Sequence, residues 1–290
     1  MVAITFDDLP IAETDIPAGT INPSEARTIN RVILESLRRR KVPATGFVIE
    51  KKVEDVGAIP GREILWQWVE SGNDLGNHSY SHPDFNQLTI EQMEREIVSG
   101  ERSISEILRK VGRRPRYFRF PMNHTGDTVA KHDAVAVFLT QRGYKLAVCT
   151  IDNEDYVFDR AYLFALARKD NASAERLRSE YLSYTETEID YYSALNKQVF
   201  GYEPPHVMLL HVNRLNADTI DGVLNLFEQR HYTFVALDKA EADQAFATPD
   251  TFVTPYGWMW GYRWARERHV TVDGSLETEP PAWVREYGEK

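Results

Sequence analysis

The chain contains one cysteine, no long hydrophobic run and no excess of positive charge. Cys149 has no second cysteine with which to form an internal disulfide, and its apolar neighbours in 145–151 are typical of a small buried residue. No segment approaches the roughly 18 consecutive apolar residues of a membrane-spanning helix. The formal net charge of −10 argues against electrostatic binding to nucleic acid or anionic lipid. These absences exclude a disulfide scaffold, a membrane span and a basic nucleic-acid surface.

The start of the chain leaves two cellular locations open. A predicted strand, residues 2–6, follows Met1 directly, with no charged and apolar leader ahead of it. The protein is then either cytoplasmic, or secreted or periplasmic with its signal segment removed. One cysteine does not distinguish these compartments.

Short β-branched runs alternate with amphipathic segments, an order typical of an α/β protein with a parallel sheet or barrel. Helix signals between the runs include the N-cap Asn22 before Pro23 and a capping box from Thr89 to Gln92. Because there are seven candidate strands, we expect a barrel-like ring. The predicted strands are residues 2–6, 44–49, 74–77, 116–120, 145–151, 207–212 and 233–237.

Two regions fall outside this alternation, and we expect a barrel over residues 1–247 and an extension over 248–290 packed on it. Residues 158–200 form a long helical stretch rich in tyrosine and charge, which we interpret as an inserted hairpin rather than a lid or dimer contact. The extension is rich in aromatic residues, which either pack across the barrel end or stack on sugar rings. These aromatic residues are Tyr256, Trp258, Trp260, Tyr262 and Trp264.

A candidate metal site combines the end of the first strand with a pair of histidines. His78 and His82 are four residues apart, a spacing that brings two imidazoles within about 6 Å in a turn or loop. Asp7 and Asp8 are adjacent like charges, which are unfavourable without a nearby cation or strong donors. Asp8 and the two histidines would supply one oxygen and two nitrogens and leave an open position, as catalytic metal sites do. Asp7 would then be free to act as a base on bound water.

Further polar residues follow the later strands. Arg119, Asp152, Asp155 and His211 all lie at predicted strand ends. Each one alone could be a surface ion pair or a satisfied core group. Because the carboxyl ends of barrel strands meet at one mouth, we expect these side chains to share a site.

Five segments, in this order, resemble the motifs of polysaccharide deacetylases with the NodB homology domain, carbohydrate esterase family four. The resemblance implies a distorted (β/α)7 barrel and metal-dependent removal of acetyl groups from amino sugars or acetylated xylan. The segments are Thr-Phe-Asp-Asp (5–8), His-Ser-x-x-His-Pro (78–83), Arg-x-Pro (119–121), Asp-x-x-Asp-Tyr (152–156) and Leu-x-His (209–211).

The resemblance also implies roles for individual residues. Asp8, His78 and His82 would hold a divalent metal, most often zinc, with cobalt, nickel or manganese as alternatives. Asp7 would be the catalytic base, and Arg119 would orient it.

Four further roles concern the leaving group and the substrate. His211 would be the general acid with Asp152 as its partner, and the backbone N–H of Met122 would bind the oxyanion. Tyr156, where the family usually has tryptophan, would line the substrate groove. Leu9, Met122 and Asn123 also depart from the family pattern, so the acetylated substrate is not specified.

Three other functions remain open from the residues alone. The same scaffold could cleave a non-sugar amide, because the groove residues are unusual. A carbohydrate-binding protein could use the aromatic residues of the extension around a structural metal. Two histidines and a carboxylate also form the iron site of oxygenases, but the adjacent Asp7 and the distant His211 fit hydrolysis better.

Overall fold

Six parallel strands form the centre of the structure, a computed structural model that describes residues 1–12 and 21–289. Hydrogen bonds join the strands in the order β5-β4-β3-β2-β1-β6. Each strand alternates with helices in sequence, which is what brings all six into one parallel sheet. The strands are β1 (Val2–Leu9), β2 (Ala44–Val48), β3 (Asp74–Asn77), β4 (Tyr117–Phe118), β5 (Lys145–Leu146) and β6 (His206–His211).

The sheet curls until its two edges meet. Beyond β5, Ile151 forms a bridge with Met208 of β6, and Leu209 N donates to Ile151 O at 3.0 Å. The predicted distorted barrel is confirmed. The predicted strand 145–151 is interrupted, however, because its first two residues pair with β4, whereas Thr150 and Ile151 bond to β6.

The seventh predicted strand is reduced to a bridge. Within 233–237 only Phe234 pairs with the sheet, opposite Val2 at the start of β1. The chain turns into a short helix at Leu237, so the described residues contain six strands rather than seven. The closure of the ring therefore depends on β6 and Ile151.

Twelve α-helices occur in the described residues, and those between the strands pack around the sheet. Asn22 caps the first, accepting a hydrogen bond from Ser24 N at 3.0 Å, and the capping box of Thr89 and Gln92 is present. The helices are α1 (Pro23–Arg40), α2 (Glu50–Asp55), α3 (Ala58–Glu70), α4 (Ile90–Gly100), α5 (Arg102–Arg109), α6 (Val129–Gln141), α7 (Asp155–Ala167), α8 (Asn171–Phe200), α9 (Arg214–Gln229), α10 (Leu237–Ala240), α11 (Trp260–Glu267) and α12 (Ala282–Gly288). None of the described helices is long and apolar enough to cross a membrane.

The region predicted as a helical insertion is a pair of helices, α7 and α8. Helix α8 buries Tyr181, whose hydroxyl donates to Asn216 Oδ1 of α9 at 2.6 Å. Its C-terminal end packs on α11, where Phe200 lies edge-on to the buried Trp264 at 5.2 Å between ring centroids. Since Trp260 and Trp264 lie on a helix and are buried, they do not share one strand face. The boundary between 247 and 248 stays a prediction.

Candidate metal centre

Three side chains meet at the carboxyl end of the sheet. Potential ligand atoms of Asp8, His78 and His82 all lie within 4.8 Å of one another. Asp8 Oδ1 is 3.6 Å from His78 Nε2 and 3.5 Å from His82 Nε2. The spacing expected from the sequence is therefore present as a convergent group of one oxygen and two nitrogens.

A bulge at the end of β1 directs two consecutive carboxylates to the mouth. Neighbouring side chains on a regular strand point to opposite faces. Here the β1–β2 register shifts between Phe6 and Leu9, and Asp8 has a left-handed backbone with φ of 68°. Such a bulge re-aims side chains next to functional sites. Asp7 stays in register opposite His211 of β6, while Asp8 turns towards the histidines.

The two histidines lie on a tight loop rather than a helix. Ser79 and His82 both have positive φ values, 72° and 59°. Asn77 Oδ1 accepts from Ser79 N at 2.9 Å, and Ser79 Oγ accepts from His82 N at 3.0 Å. Gly100 permits the close approach of α4, since a Cβ there would lie 2.5 Å from the carbonyl carbon of Ser79. The loop is held by its own hydrogen bonds and by the close packing of α4. This holds the rings of His78 and His82 in place.

Hydrogen bonding sets the tautomer of His78. Its Nδ1 lies 2.8 Å from Arg119 O, and a carbonyl oxygen only accepts, so Nδ1 carries the proton when the ring is neutral. Nε2 then presents its lone pair to Asp8. A backbone carbonyl behind a histidine is the arrangement that orients metal-binding imidazoles.

Asp8 has an oxygen that no protein group satisfies. Oδ2 accepts from Lys52 Nζ at 3.1 Å, but the buried Oδ1 has no hydrogen-bond partner among the described residues. Burial acts to raise the pKa of Asp8, but the charges of Lys52 and the nearby histidines outweigh it and hold that pKa below its usual value. Burial lowers the pKa of His82 to about 4, so its ring is neutral near pH 7. A carboxylate oxygen and two imidazole nitrogens are a donor set that fits a divalent cation.

Asp7 is held beside this group by a buried arginine. Arg119 is fully buried and donates from Nη1 to Asp7 Oδ1 at 2.7 Å and to Thr5 Oγ1 at 2.8 Å. The ring of Phe47 lies 4.1 Å from the guanidinium carbon. Asp7 Oδ2 is left 3.6 Å from His78 Nε2, at the edge of the candidate site. Arg119 and Asp7 are thus in direct contact in the structure, as expected from the sequence.

His211 is paired with Asp155, and the prediction that Asp152 is its partner is wrong. His211 Nδ1 lies 2.6 Å from Asp155 Oδ1, and His211 N donates to Asp155 Oδ2 at 2.7 Å. Asn216 also donates to this carboxylate. Burial alone would lower the pKa of His211, but the charge and hydrogen bond of Asp155, with Asp8 and Asp7, raise it to about 10. His211 is therefore protonated at neutral pH.

The course of the backbone explains why Asp155, and not Asp152, is the partner of His211. Asp155 is the first residue of α7, which packs against the end of β6. Asp152 lies before a left-handed residue, Glu154 with φ of 46°, and Asp152 Oδ1 accepts from Glu154 N at 3.0 Å. Burial raises the pKa of Asp152 to about 6. Asp152 thus lines the wall of the site without binding His211.

The wall of the cavity beside the metal-centre residues contains the other predicted residues. Met122 has φ of 55° and is 44% exposed, and Tyr156 is 46% exposed with its ring centroid 6.1 Å from that of His211. Both line a cavity of about 390 Å³ together with the metal-centre residues and Asp152. Lys52 was not identified from the sequence, because a lysine within α2 carries no motif. Asp155 could have been identified from the sequence as the neighbour of His211, since it belongs to the predicted segment 152–156.

Comparison with known proteins agrees with this geometry. Residues 1–138 match the family model described as polysaccharide deacetylase. The chain is 30% identical over 156 residues to the peptidoglycan-N-acetylmuramic acid deacetylase PdaC of Bacillus subtilis, covering 54% of this chain and 27% of PdaC. It is 27% identical over 157 residues to the chitin deacetylase of Colletotrichum lindemuthianum, covering 54% of this chain and 53% of that enzyme. The chain thus spans only part of the length of these relatives.

A solved structure shares the fold. A CE4 family pseudoenzyme from Bacillus anthracis superposes with a TM-score of 0.52 at 16% identity, covering 80% of this chain and 62% of the other. Since this neighbour is a pseudoenzyme, the fold alone does not indicate activity. Residues 1–138 therefore match a polysaccharide deacetylase domain, and the relatives and the fold agree with the resemblance found in the sequence.

Proposed function

We propose that the protein is a metal-dependent hydrolase that removes acetyl groups from an N- or O-acetylated carbohydrate. The observation that carries the proposal is the unsatisfied Asp8 Oδ1, which lies 3.6 Å from His78 Nε2 and 3.5 Å from His82 Nε2. Asp7 and its register partner His211 line the same cavity. Asp8, His78 and His82 would hold the cation. Zinc suits two nitrogens and one oxygen, with cobalt, nickel or manganese as alternatives. When bound, such an ion polarises a water molecule and a carbonyl oxygen.

Asp7 would be the general base. Its buried carboxylate is held in place by a hydrogen bond from Arg119. One oxygen, Oδ2, remains directed towards the metal ligands. Asp7 could therefore accept a proton from the attacking water without being a ligand itself.

His211 would be the general acid. A departing amine must gain a proton as the carbon–nitrogen bond breaks. Asp155 holds the His211 ring by Nδ1, which leaves Nε2 free to donate towards the cavity. The base and the acid would lie on neighbouring strands, because Asp7 and His211 are register partners.

Two residues would act on the acyl group and the sugar. Met122 lies on the wall of the cavity, and its backbone N–H is the proposed donor to the developing oxyanion. Tyr156 would form part of the sugar-binding wall beside His211. The relatives named above support a carbohydrate substrate, since PdaC acts on peptidoglycan and the fungal enzyme on chitin.

The experiment is acetate release from a panel of substrates. We expect release from acetylated chito-oligosaccharides or acetylated xylan, loss of release after chelation, and recovery when zinc is added back. The panel also contains small non-sugar amides, which separate the alternative amidase function. Release that is unaffected by chelation would refute the metal-dependent mechanism. Undiminished glycan binding after chelation, with no turnover of any ester or amide, would instead favour a binding protein with a structural metal.

A further inference from the structure

A second cavity, which we call the acidic cavity, adjoins the metal centre. It has a volume of about 600 Å³ and shares Asp152, Gly257 and Met259 with the cavity of the metal centre. Asp152 and Glu154 form one part of its wall, and the rest comes from helix α8 and from residues 257–277, the two regions that lie outside the regular alternation of strands and helices. A ligand that extends from the metal centre would enter it directly.

Aromatic rings form one part of the wall. The faces and edges of such rings provide apolar surface on which a sugar ring packs. Trp258 is 38% exposed, so part of its surface is available to a ligand. The aromatic residues of the wall are Tyr184, Tyr192, Trp258 and Tyr262.

Carboxylates form the other part of the wall, and they outnumber the cations. Asp152, Glu154, Glu188 and Glu277 line the acidic cavity, whereas Arg266 is the one cationic side chain among its lining residues. Arg285 offsets part of this charge from outside the lining, with Nη2 at 3.3 Å from Glu154 Oε2. The excess of negative charge favours a cationic ligand.

Glu188 is a buried carboxylate that the protein satisfies only in part. Its side chain lines the acidic cavity and is 1% exposed. Among the described residues it accepts one hydrogen bond, from Thr278 Oγ1 to Oε1 at 2.5 Å, and no arginine or lysine pairs with it. Glu277, by contrast, accepts from the hydroxyls of both Tyr192 and Tyr262. A buried carboxylate without a counter-ion is unfavourable unless a ligand supplies donors.

We propose that the acidic cavity binds a protonated amino sugar unit of the substrate, next to the acetylated unit at the metal centre. This inference rests on the proposed deacetylase function. An ammonium group supplies donors and charge to Glu188 and its neighbours, and the rings receive the apolar face of the sugar. An N-acetylated unit at the same place carries no charge. The enzyme would therefore prefer chains that already contain a free amine.

The first test uses the unaltered protein and pairs of disaccharides. In each pair an N-acetylglucosamine unit is linked to either glucosamine or N-acetylglucosamine, in both orders. We expect kcat/KM to be about tenfold higher for the glucosamine form of one order, which corresponds to about 1.4 kcal/mol. The preference should appear mainly in KM and weaken at high salt. Equal kcat/KM values for both members of both pairs would overturn the proposal.

A matched pair of variants tests the contribution of Glu188. Glu188→Gln keeps the acceptor for Thr278 and removes the charge, so we expect the preference for glucosamine to fall at least threefold. Glu186→Gln is the control, because Glu186 lies on the same helix, is exposed and pairs with Arg230 outside the acidic cavity. Equal losses in the two variants would count against the proposal.

A binding measurement separates the failure of this proposal from the failure of the proposed function. Glucosamine and N-acetylglucosamine are titrated into the full chain after chelation and followed by nuclear magnetic resonance. If no disaccharide is hydrolysed, the deacetylase function is contradicted, but tighter binding of glucosamine with shifts at Tyr184 and Tyr192 supports the acidic cavity as an amine site. Equal or absent binding overturns it. A mono-N-acetylated alkyl diamine bound or hydrolysed as well as the amino sugars would show that the ammonium alone, and no sugar ring, is recognised, against the amino sugar proposed here.

Discussion

The metal centre and the acidic cavity adjoin each other, but their carboxylates differ in how the protein compensates them. At the metal centre Asp7 faces Arg119 at 2.7 Å, and Asp8 faces Lys52 at 3.1 Å. In the acidic cavity Glu188 accepts only one hydrogen bond among the described residues, from the hydroxyl group of Thr278. A carboxylate paired with a cation of the protein is held in one position, which suits a ligand or a base. A poorly compensated one retains attraction for a cation from outside, which suits recognition.

The largest expected effect comes from breaking the metal centre. Asp8→Ala removes the unsatisfied oxygen that lies between the two imidazoles. We expect loss of stoichiometric zinc binding and a decrease in acetate release of about a thousandfold or more, because metal activation of water is lost. Metal content by elemental analysis and acetate release check this. The control is Asp55→Ala, which removes a carboxylate paired with Lys51 outside the site. Full activity of the Asp8 variant would contradict the assignment.

The second prediction separates the base from the ligands. Asp7→Asn keeps the shape of the side chain but removes its proton acceptor. We expect kcat to fall by roughly 10² to 10⁴, the range of general base catalysis, while zinc remains bound. A parallel loss of zinc would show that Asp7 acts as a ligand instead.

The third prediction compares the two aspartates near His211. The raised pKa of about 10 means that His211 loses its proton, and the enzyme its general acid, only as the pH rises towards that value. In Asp155→Asn the supporting charge is lost, so we expect the upper limb of the pH profile to move to lower pH by at least about one unit. The kcat at pH 7 should fall about tenfold or more.

Asp152→Asn is the matched control for that prediction, because Asp152 makes no hydrogen bond to His211 in the structure. Its upper limb should move much less than that of Asp155→Asn, since Asp152 acts on His211 through charge alone. A shift caused by Asp152→Asn, with none from Asp155→Asn, would restore the assignment first expected from the sequence.

The smallest effect concerns the stability of the acidic cavity. Burial raises the pKa of Glu188 to about 7, so its charged form destabilises the folded state as the pH rises from about 4.5 through 7. Glu188→Gln removes this charge. The gain in the free energy of unfolding over the unaltered protein should therefore be about 1 to 3 kcal/mol larger at pH 8 than at pH 4. Thermal or denaturant unfolding measures it. The control Glu186→Gln, at an exposed position, should change the free energy of unfolding by less than about 0.5 kcal/mol at both pH values.

The sequence predicted the convergence of Asp8, His78 and His82 because these residues follow from the order of the strands. In a parallel barrel, residues at strand ends meet at one mouth, so Asp8 and His211 could be brought together although they are far apart in the chain. The His78 and His82 spacing added a local constraint. The bulge at Asp8 was not predictable, since its left-handed backbone depends on the register with β2.

The partner of His211 was mistaken for a related reason. Asp152 and Asp155 are three residues apart, and which of them faces β6 depends on where α7 begins. The left-handed Glu154 sets that point, and nothing in the local sequence marks it. The acidic cavity could not be predicted from the sequence either, because α8 and residues 257–277 come together only through tertiary packing.

A crystal structure of the protein grown with zinc, with anomalous data at the zinc edge, tests whether Asp8, His78 and His82 hold the ion. We expect one strong peak within about 2.0–2.2 Å of Asp8 Oδ1, His78 Nε2 and His82 Nε2. Asp7 should lie next to the ion without bonding to it. A peak bound by other residues, or no peak in a protein that releases acetate, would show that these three residues are not the metal site.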